Sequence, residues 1–261
     1  MISIRRETYN LPRPAARAGE KLLYAIGDIH GCYDLLHALL GAIGRDAAER
    51  YPGVTPTLVL CGDYVDRGPD SAKVLTALTW LMRSSAVELY LLEGNHEAML
   101  LGFLDNPTEY GKWLSVDGFR TLQSYGIEVS DKRDAATLKA LRNSLLDAMP
   151  ISHRQLLHDL RLIVEVGDYA FVHAGVMPGV PLRAQSRNAL LWIGAEFLEH
   201  PNPATSVIVH GHTWVDEHPT LLPHRIGIDT GAYKTDVLTG IRIGNDFIEV
   251  IQATGPNSQY G

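Results

Sequence analysis

Three short apolar runs near the beginning of the chain each lead into a glycine followed by Asp, His or Asn. The motifs at their ends are GDIHG at 27–31, GDYVDRG at 62–68 and GNHE at 94–97. The runs themselves have the length and composition of buried strands, and they occupy residues 21–26, 57–60 and 87–92. Apolar side chains at helical spacing lie between them, at 33–43 and at about 70–82. This order predicts right-handed crossovers and a mostly parallel sheet with all three motifs at its carboxyl edge, where ligands bind in such sheets.

A helical stretch from about residue 98 to residue 160 follows the third motif. Its apolar pattern predicts helices at 96–104, 116–125, 134–148 and 152–159. We interpret this stretch as an insertion that covers the site, although ordinary packing on the flank of the sheet would give the same pattern. The chain is expected to form one domain over residues 21–261, preceded by a loosely attached arm at 1–20.

The C-terminal part of the chain predicts further strands. Gly167 and Asp168 form a two-residue hairpin signal between runs at 162–166 and 169–172. A helix is expected at about 188–199. Additional strands are expected at 206–209, 224–228, 236–243 and 246–251. The hairpins predict a second, mixed or antiparallel sheet packed on the first.

Two histidines in this region extend the set of polar residues at strand ends. FVHAGV places His173 after one strand, and VIVHGHT places His212 after another. With the earlier motifs they give two carboxylates, one amide and three imidazoles: Asp28, His30, Asp63, Asn95, His173 and His212. Asp28 and His30 lie two apart, so both side chains project the same way from an extended backbone. Such a mixed oxygen and nitrogen set suits manganese, iron, zinc or nickel, and it is large enough for two ions that share Asp63.

Each of these residues also has a simpler interpretation. A lone Asp-x-His is more often a turn and a cap than a metal site, and a single His on an apolar strand is usually structural. The glycines could serve only to supply positive φ in turns. Because the clusters follow one another at strand ends and bring different ligand types, the metal interpretation is the better one.

Charge and composition exclude some partners. The net charge of −7 argues against general binding of nucleic acid or of a membrane surface, since such proteins usually carry a basic patch. The basic N-terminus has no apolar stretch behind its charges, so no secretory signal is expected, and no run approaches the length of a membrane span. Cys32 and Cys61 are expected to be reduced thiols rather than a disulfide. These features predict a cytoplasmic protein.

The motifs GDIHG, GDYVDRG, GNHE, HAG and GHT resemble the signature of the calcineurin-like metallophosphoesterases, specifically the PPP-type phosphoprotein phosphatases and their compact bacterial relatives. The resemblance extends from about Lys21 to the C-terminal strands. It implies an α/β fold in which two packed β-sheets are flanked by helices, with a dinuclear metal centre between the sheets.

The resemblance also implies how the ligands divide between two metal ions. The first set is Asp28, His30 and Asp63, and the second set is Asp63, Asn95, His173 and His212. Asp63 would bridge two divalent ions, with manganese the leading expectation and iron, zinc or nickel the alternatives. A bridging hydroxide would then be the nucleophile, so no side chain need become phosphorylated.

The same resemblance assigns catalysis to three further residues. His96 lies in the GNHE loop without a metal role and would donate a proton to the leaving oxygen. Asp66 would orient and charge His96. Arg67 would bind the phosphoryl oxygens through its guanidinium fork, although a surface ion pair with a neighbouring aspartate is an alternative for this arginine.

The chain departs from the family pattern at one place. Compact bacterial relatives often carry a second phosphate-binding arginine soon after a Leu-Trp-Ile run, but LLWIGAEF has Gly194 there. Arg183 or Arg187 could replace it. The IDTGAY segment also resembles the family; its Tyr233 could reach the site, although a turn is the simpler interpretation.

These observations lead to one enzyme hypothesis and two alternatives. The leading hypothesis is a metal-dependent phosphomonoesterase acting on phosphoserine and phosphothreonine proteins or on small phosphate esters. The first alternative is a nucleotide hydrolase similar to the symmetrical diadenosine tetraphosphatases, whose relatives often have Asn where Asp66 stands. The second is a non-catalytic module that keeps its metals for structure, which only Gly194 supports.

Overall fold

Two mixed β-sheets stack with an apolar layer between them. The computed structural model describes residues 1–10, 16–84, 86–201 and 204–257. Its strands are β1 (Ser3–Asn10), β2 (Leu23–Ile26), β3 (Thr57–Leu60), β4 (Glu88–Leu91), β5 (Val164–Val166), β6 (Tyr169–Phe171), β7 (Val207–His210), β8 (Thr220–Leu221), β9 (Arg225–Gly227), β10 (Val237–Ile243) and β11 (Phe247–Thr254). The first sheet has the order β1-β11-β10-β2-β3-β4, and the second has the order β5-β6-β7-β9-β8.

Helices cover the outer face of each sheet. They are α1 (Tyr33–Arg50), α2 (Ser71–Met82), α3 (Asn95–Asp105), α4 (Gly118–Ser124), α5 (Ala135–Ala148), α6 (Ile151–His158), α7 (Arg187–Trp192), α8 (Ala195–Leu198) and α9 (Ala232–Thr235). Two 3-10 helices, Gly111–Val116 and Leu182–Ala184, complete the set. Helices α1 to α6 share one apolar cluster with the first sheet, in which α4 and α6 contact α2 and α5 contacts α3, while α7 and α8 pack on the second sheet. This arrangement confirms the predicted α/β fold of two packed sheets flanked by helices.

Strand β2 shows how the sequence builds these layers. Leu23 and Ala25 pack between the two sheets, whereas Tyr24 and Ile26 pack against the helices, because neighbouring side chains of a strand alternate. All four residues are buried, which explains the uninterrupted apolar run. The parallel pairing of β2 with β3 and of β3 with β4 confirms the predicted order of strands and brings the three motifs to one edge.

The prediction of a loosely attached N-terminal arm is wrong for residues 3–10. Strand β1 pairs antiparallel with β11 over its whole length. Charged residues obscured this strand in the sequence, as is usual for strands at the edge of a sheet. One of them, Arg6, contacts Asp46 and Glu249 at 3.0 and 3.2 Å. Residues 11–15 of the predicted arm lie outside the described residues.

Long-range pairing also differs from the expectation in the C-terminal part. The hairpin of β10 and β11 joins the first sheet, where β10 lies antiparallel to β2, and does not extend the second sheet. The single helix expected at 188–199 is divided into α7 and α8, with Gly194 between them in a backbone that is neither helical nor extended (φ −123°, ψ −117°). Among the described residues, no helix is long and apolar enough to cross a membrane.

Removal of residues 1–10 tests the role of β1. Eight cross-strand pairs with β11 would be lost, and at several tenths of a kcal/mol each the loss is about 2 kcal/mol or more. We expect the midpoint of thermal unfolding to fall by about 4–8 °C. An unchanged midpoint would show that this segment contributes nothing to stability and behaves as the arm first expected.

Candidate active site

The predicted site residues come together where strands of both sheets end. The structure forms two clusters of potential ligand atoms within 4.8 Å of one another. One cluster contains His30, Asp63 and His96, and the other contains Asp63, His173 and His212. Asp63 therefore belongs to both.

The carboxylate of Asp63 lies between imidazoles of the two clusters. Its Oδ2 is 3.4 Å from Nε2 of His30, and its Oδ1 is 3.5 Å from Nε2 of His173. Each oxygen thus faces a different imidazole, which is the arrangement needed for a carboxylate shared by two cations. Asp63 has only 2% of its surface exposed, so water cannot neutralise its charge effectively.

Asn95 adds a third potential ligand atom next to the two histidines of the second cluster. Asn95 Oδ1 is 2.8 Å from Nε2 of His173 and 3.0 Å from Nδ1 of His212. The other ring nitrogen of His173 donates to the carbonyl of Cys61 at 2.8 Å. Such a hydrogen bond fixes the tautomer, so the lone pair of His173 Nε2 points at the place where the three atoms meet.

The histidines are held in the neutral form that can bind a metal. Burial lowers the pKa of His30 to about 3 and the pKa of His212 to about 4, and it also lowers the pKa of His173. Nδ1 of His30 donates to the carbonyl of Val65 at 2.9 Å, which leaves its Nε2 lone pair directed at Asp63. Neutral imidazoles with oriented lone pairs are the form that divalent metals require.

Asp28 places another buried carboxyl group at the same place. One carboxylate oxygen accepts the backbone N–H of His212 at 2.9 Å, but the other is buried without a hydrogen-bond partner. Burial and the nearby carboxylates of Asp229 and Asp63 raise the pKa of Asp28 well above its usual value. An orphaned oxygen among three buried carboxylates fits a divalent cation, which would supply the missing positive charge.

Strained backbone presents these side chains. Five candidate site residues have a left-handed backbone, with φ between 45° and 69°: His30, Asp63, Asp66, Arg67 and His212. Such conformations cost free energy and are retained where the surroundings impose them. The motif glycines make the crowding tolerable, since a Cβ on Gly94 would lie 2.1 Å from Oδ1 of Asp63. This close approach explains the glycine of GNHE better than a turn requirement does.

Glu97, the last residue of GNHE, organises both loops and was not recognised in the sequence. Its Oε2 accepts the N–H groups of Asp63 and Gly94 at 2.8 and 3.0 Å. Its Oε1 accepts those of Tyr64 and Val65 at 2.7 and 3.2 Å. Burial raises the pKa of Glu97 to about 8, with a further contribution from Asp63, while the amide hydrogen bonds oppose the shift. Because both oxygens face only donors, the geometry fits the ionised carboxylate.

His96 and Asp66 form a buried pair next to the clusters. Nδ1 of His96 lies 2.7 Å from Oδ2 of Asp66. Burial opposes protonation of His96, but the charges of Asp63 and Asp66 outweigh it and raise its pKa. Asp66 in turn accepts hydrogen bonds from Trp113 Nε1 at 2.7 Å and from Thr121 Oγ1 at 2.6 Å. The helical stretch therefore fixes the orientation of Asp66 as well as covering it.

Arg67 is held by an aromatic ring. Its Cζ lies 4.7 Å from the ring centroid of Tyr233, and that ring is also 5.3 Å from the ring of His30. In the described part of the chain, no carboxylate forms an ion pair with Arg67, so the alternative of a surface ion pair is not what the structure shows. Of the two alternatives for Tyr233, the structure shows the first, since Tyr233 lies in the short helix α9 and its ring contacts His30 and Arg67.

The two arginines considered as replacements at Gly194 lie in different places. Arg187 forms a two-pronged ion pair with Glu93, the residue before the GNHE loop. Arg183 lines a cavity of about 680 Å³ together with Ser206, which precedes β7, whereas His212 follows that strand. Arg183 is therefore at the wrong end of the second sheet to meet a substrate at the clusters.

Comparison with known proteins gives a consistent picture. The family model described as calcineurin-like phosphoesterase matches residues 22–216. The bis(5'-nucleosyl)-tetraphosphatase PrpE [asymmetrical] of Bacillus velezensis is 30% identical over 83% of this chain and 87% of its own length. Serine/threonine-protein phosphatase 2 of Salmonella typhimurium is 26% identical over 85% of this chain and 92% of its own.

The fold itself is found among solved structures. A crystal structure provisionally described as a diadenosine tetraphosphatase superposes with a TM-score of 0.61. It covers 91% of this chain and 96% of that chain at 21% identity. This likeness concerns the arrangement of sheets and helices.

Glu97→Gln tests whether one carboxylate holds both loops. The amide would turn an N–H₂ group towards backbone donors, so at least one buried amide hydrogen bond is lost at a cost of about 2 kcal/mol. We expect the midpoint of thermal unfolding to fall by about 4 °C or more and the affinity for manganese to fall by about 10–100-fold. Glu128→Gln, on an exposed residue, is the matched control. Unchanged manganese affinity in Glu97→Gln would show that the loops keep their geometry without this carboxylate.

Proposed function

Because the chain belongs to the calcineurin-like phosphoesterase family, we propose that it hydrolyses phosphate monoesters at a pair of divalent metal ions, with phosphoserine and phosphothreonine proteins as its substrate class. The relative from Salmonella typhimurium with that activity in its name supports this substrate class. The observation that carries the proposal is the buried pair of His96 and Asp66, 2.7 Å apart beside the ligand clusters.

The metal ions would be held by the ligands already described. The proposed set is Asp28, His30 and Asp63 for one ion, and Asp63, Asn95, His173 and His212 for the other. Bound there, two divalent ions would activate water as a nucleophile and neutralise the phosphoryl oxygens. The mixture of carboxylate, amide and imidazole supports manganese, with iron, zinc or nickel as alternatives.

His96 is the proposed proton donor. Its Nδ1 faces Asp66, which leaves Nε2 free to protonate the oxygen that departs from phosphorus. The alkoxide of a serine or threonine is a poor leaving group, so its departure needs this proton. A positioned and charged imidazole thus supports alkyl phosphate esters as substrates.

Arg67 is the proposed phosphate-binding residue. Stacking on Tyr233 at 4.7 Å fixes the plane of its guanidinium without using its N–H donors. Those donors remain available for two oxygens of a phosphoryl group. Because Arg67 is half-buried, water competes less with a phosphoryl group for its N–H donors.

A dinucleoside tetraphosphate is a second candidate substrate. The relative from Bacillus velezensis carries that activity in its name. Aromatic side chains at the edge of the site also favour it, because bases stack on such rings. The ring of Trp192, 44% exposed, lies 6.4 Å from the ring of His212, and the ring of Trp214 lies 6.3 Å from that of Tyr233.

Hydrolysis of three substrates by metal-stripped protein, with and without manganese, tests the proposal. We expect manganese-dependent turnover of p-nitrophenyl phosphate, and loss of that turnover in Asp63→Asn because the shared carboxylate charge is gone. A preference for diadenosine tetraphosphate would favour the second candidate. Bis(p-nitrophenyl) phosphate is the diester control, and absence of turnover with every metal would contradict an enzymatic function.

Two substitutions test the proton donor. His96→Asn should lower kcat for a phosphoserine peptide by about 10²–10⁴-fold with manganese still bound, because general acid catalysis contributes that much where the leaving alkoxide needs a proton. Trp113→Phe removes one hydrogen bond to Asp66 and should lower kcat by about tenfold. Trp80→Phe, on an exposed residue of α2, is the matched control. Equal kcat values for Trp113→Phe and wild type would show that Asp66 is positioned without Trp113.

A further inference from the structure

A cavity of about 730 Å³ lies beside the proposed site. Gly31, Arg67 and Tyr233 form the wall nearest the candidate ligands, and Arg120 and Lys234 also line it. The catalytic proposal uses only Arg67 among these cations. Arg120 and Lys234 have no role in that proposal.

None of the three cations is neutralised by a carboxylate within the described ranges of the chain. Arg67 stacks on Tyr233, and Cζ of Arg120 is 5.2 Å from the ring centroid of Phe119. Nζ of Lys234 is 5.7 Å from the ring centroid of Trp214. A cation on an aromatic ring keeps its charge and its N–H donors, so the cavity retains unshared positive charge.

Three carboxylates also line the cavity, and they offset only part of this charge because one of them, Asp70, already has a cationic partner. Asp70 pairs with Lys73 at 2.8 Å. The carboxylate of Asp236 accepts the backbone N–H of Asn257 at 3.0 Å. Asp34 lies in the first turn of α1, where the helix dipole offsets a negative charge.

The two additional cations stand next to residues of the site. Arg120 precedes Thr121, whose hydroxyl donates to Asp66 at 2.6 Å. Lys234 follows Tyr233, whose ring contacts the guanidinium of Arg67. Arg120 thus comes from the helical stretch and Lys234 from α9, so the cavity has cations from two different elements beside Arg67.

We propose that this cavity is a subsite for a second phosphoryl group of the substrate, bound by Arg120 and Lys234. The inference rests on the proposed function, because the group to be hydrolysed is placed at the ligand clusters and Arg67. An oligophosphate chain carries negative charges in close succession, and each terminal oxygen can accept a charge-assisted hydrogen bond. A substrate with adjacent phosphoryl groups therefore fits these cations, and of the two proposed substrates this describes the dinucleoside tetraphosphate.

Two phosphonates separate the subsite from the primary phosphate position. Methylenediphosphonate carries two phosphoryl-like groups and cannot be hydrolysed between them, whereas methylphosphonate carries one. Both are titrated into manganese-loaded protein by calorimetry and tested as inhibitors of p-nitrophenyl phosphate hydrolysis. The variants are Arg120→Gln and Lys234→Gln. Lys139→Gln, an exposed residue of α5 away from the cavity, is the control for net charge.

We expect each cavity variant to weaken methylenediphosphonate binding by about tenfold while methylphosphonate binding stays within about twofold of wild type. Chelation of manganese by the diphosphonate is the same for every variant and does not affect the comparison. Lys139→Gln should bind both compounds like wild type.

Three results would overturn the subsite. These are unchanged diphosphonate binding in both variants, equal weakening of both phosphonates, and equal weakening in the control Lys139→Gln. The calorimetric arm needs no turnover, so an inactive protein that shows the expected difference would refute the proposed function and retain the subsite. An active protein whose cavity variants bind the diphosphonate like wild type would support the proposed function and refute the subsite.

Discussion

One buried carboxylate sets the geometry of the two central loops. Glu97 accepts four backbone N–H groups, three from the loop after β3 and one from the loop after β4. Each would otherwise be an unsatisfied donor in a dry interior, at a cost of about 1–3 kcal/mol. Asp63, whose own N–H is among them, can then hold a left-handed backbone (φ 51°) and direct its carboxylate between His30 and His173. The strain at Asp63 is thus offset by hydrogen bonds to Glu97, which is not among the proposed metal ligands.

The same loops gather more negative charge than a protein interior tolerates without a cation. Asp28, Asp63 and Asp229 are buried within one region, and one oxygen of Asp28 has no hydrogen-bond partner. Neutral histidines offer lone pairs but no compensating charge. Both features indicate a divalent cation, which would bind the histidine lone pairs and balance the negative charge of the carboxylates. Folding alone builds an arrangement that is incomplete in its electrostatics, and binding of metal should stabilise the native state by mass action.

Local pattern and long-range contact explain which features the sequence could predict. Strands β2, β3 and β4 and the motifs after them follow from apolar runs and glycines that are neighbours in the chain. The role of Asp66 depends on Trp113 and Thr121, which lie 47 and 55 residues away, and no periodicity connects them. The pairing of β1 with β11 likewise joins opposite ends of the chain, and its charged residues resemble a solvated arm. Glu97 could have been suspected, because an acid in the first turn of a helix that follows a motif glycine often accepts backbone N–H groups. The metal ligands and their division between two ions remain predictions from the resemblance, supported by the geometry.

The helical stretch connects the proposed proton donor with the proposed phosphoryl subsite. Thr121 orients Asp66, and the adjacent Arg120 lines the cavity where a second phosphoryl group is proposed to bind. Both residues belong to α4, a helix of seven residues, so a displacement of that helix would alter the proton donor and the cavity together. A ligand that moves Arg120 would therefore also change the hydrogen bond from Thr121 to Asp66. In this arrangement, recognition of the substrate beyond the scissile phosphate is physically coupled to the group proposed to protonate its leaving oxygen.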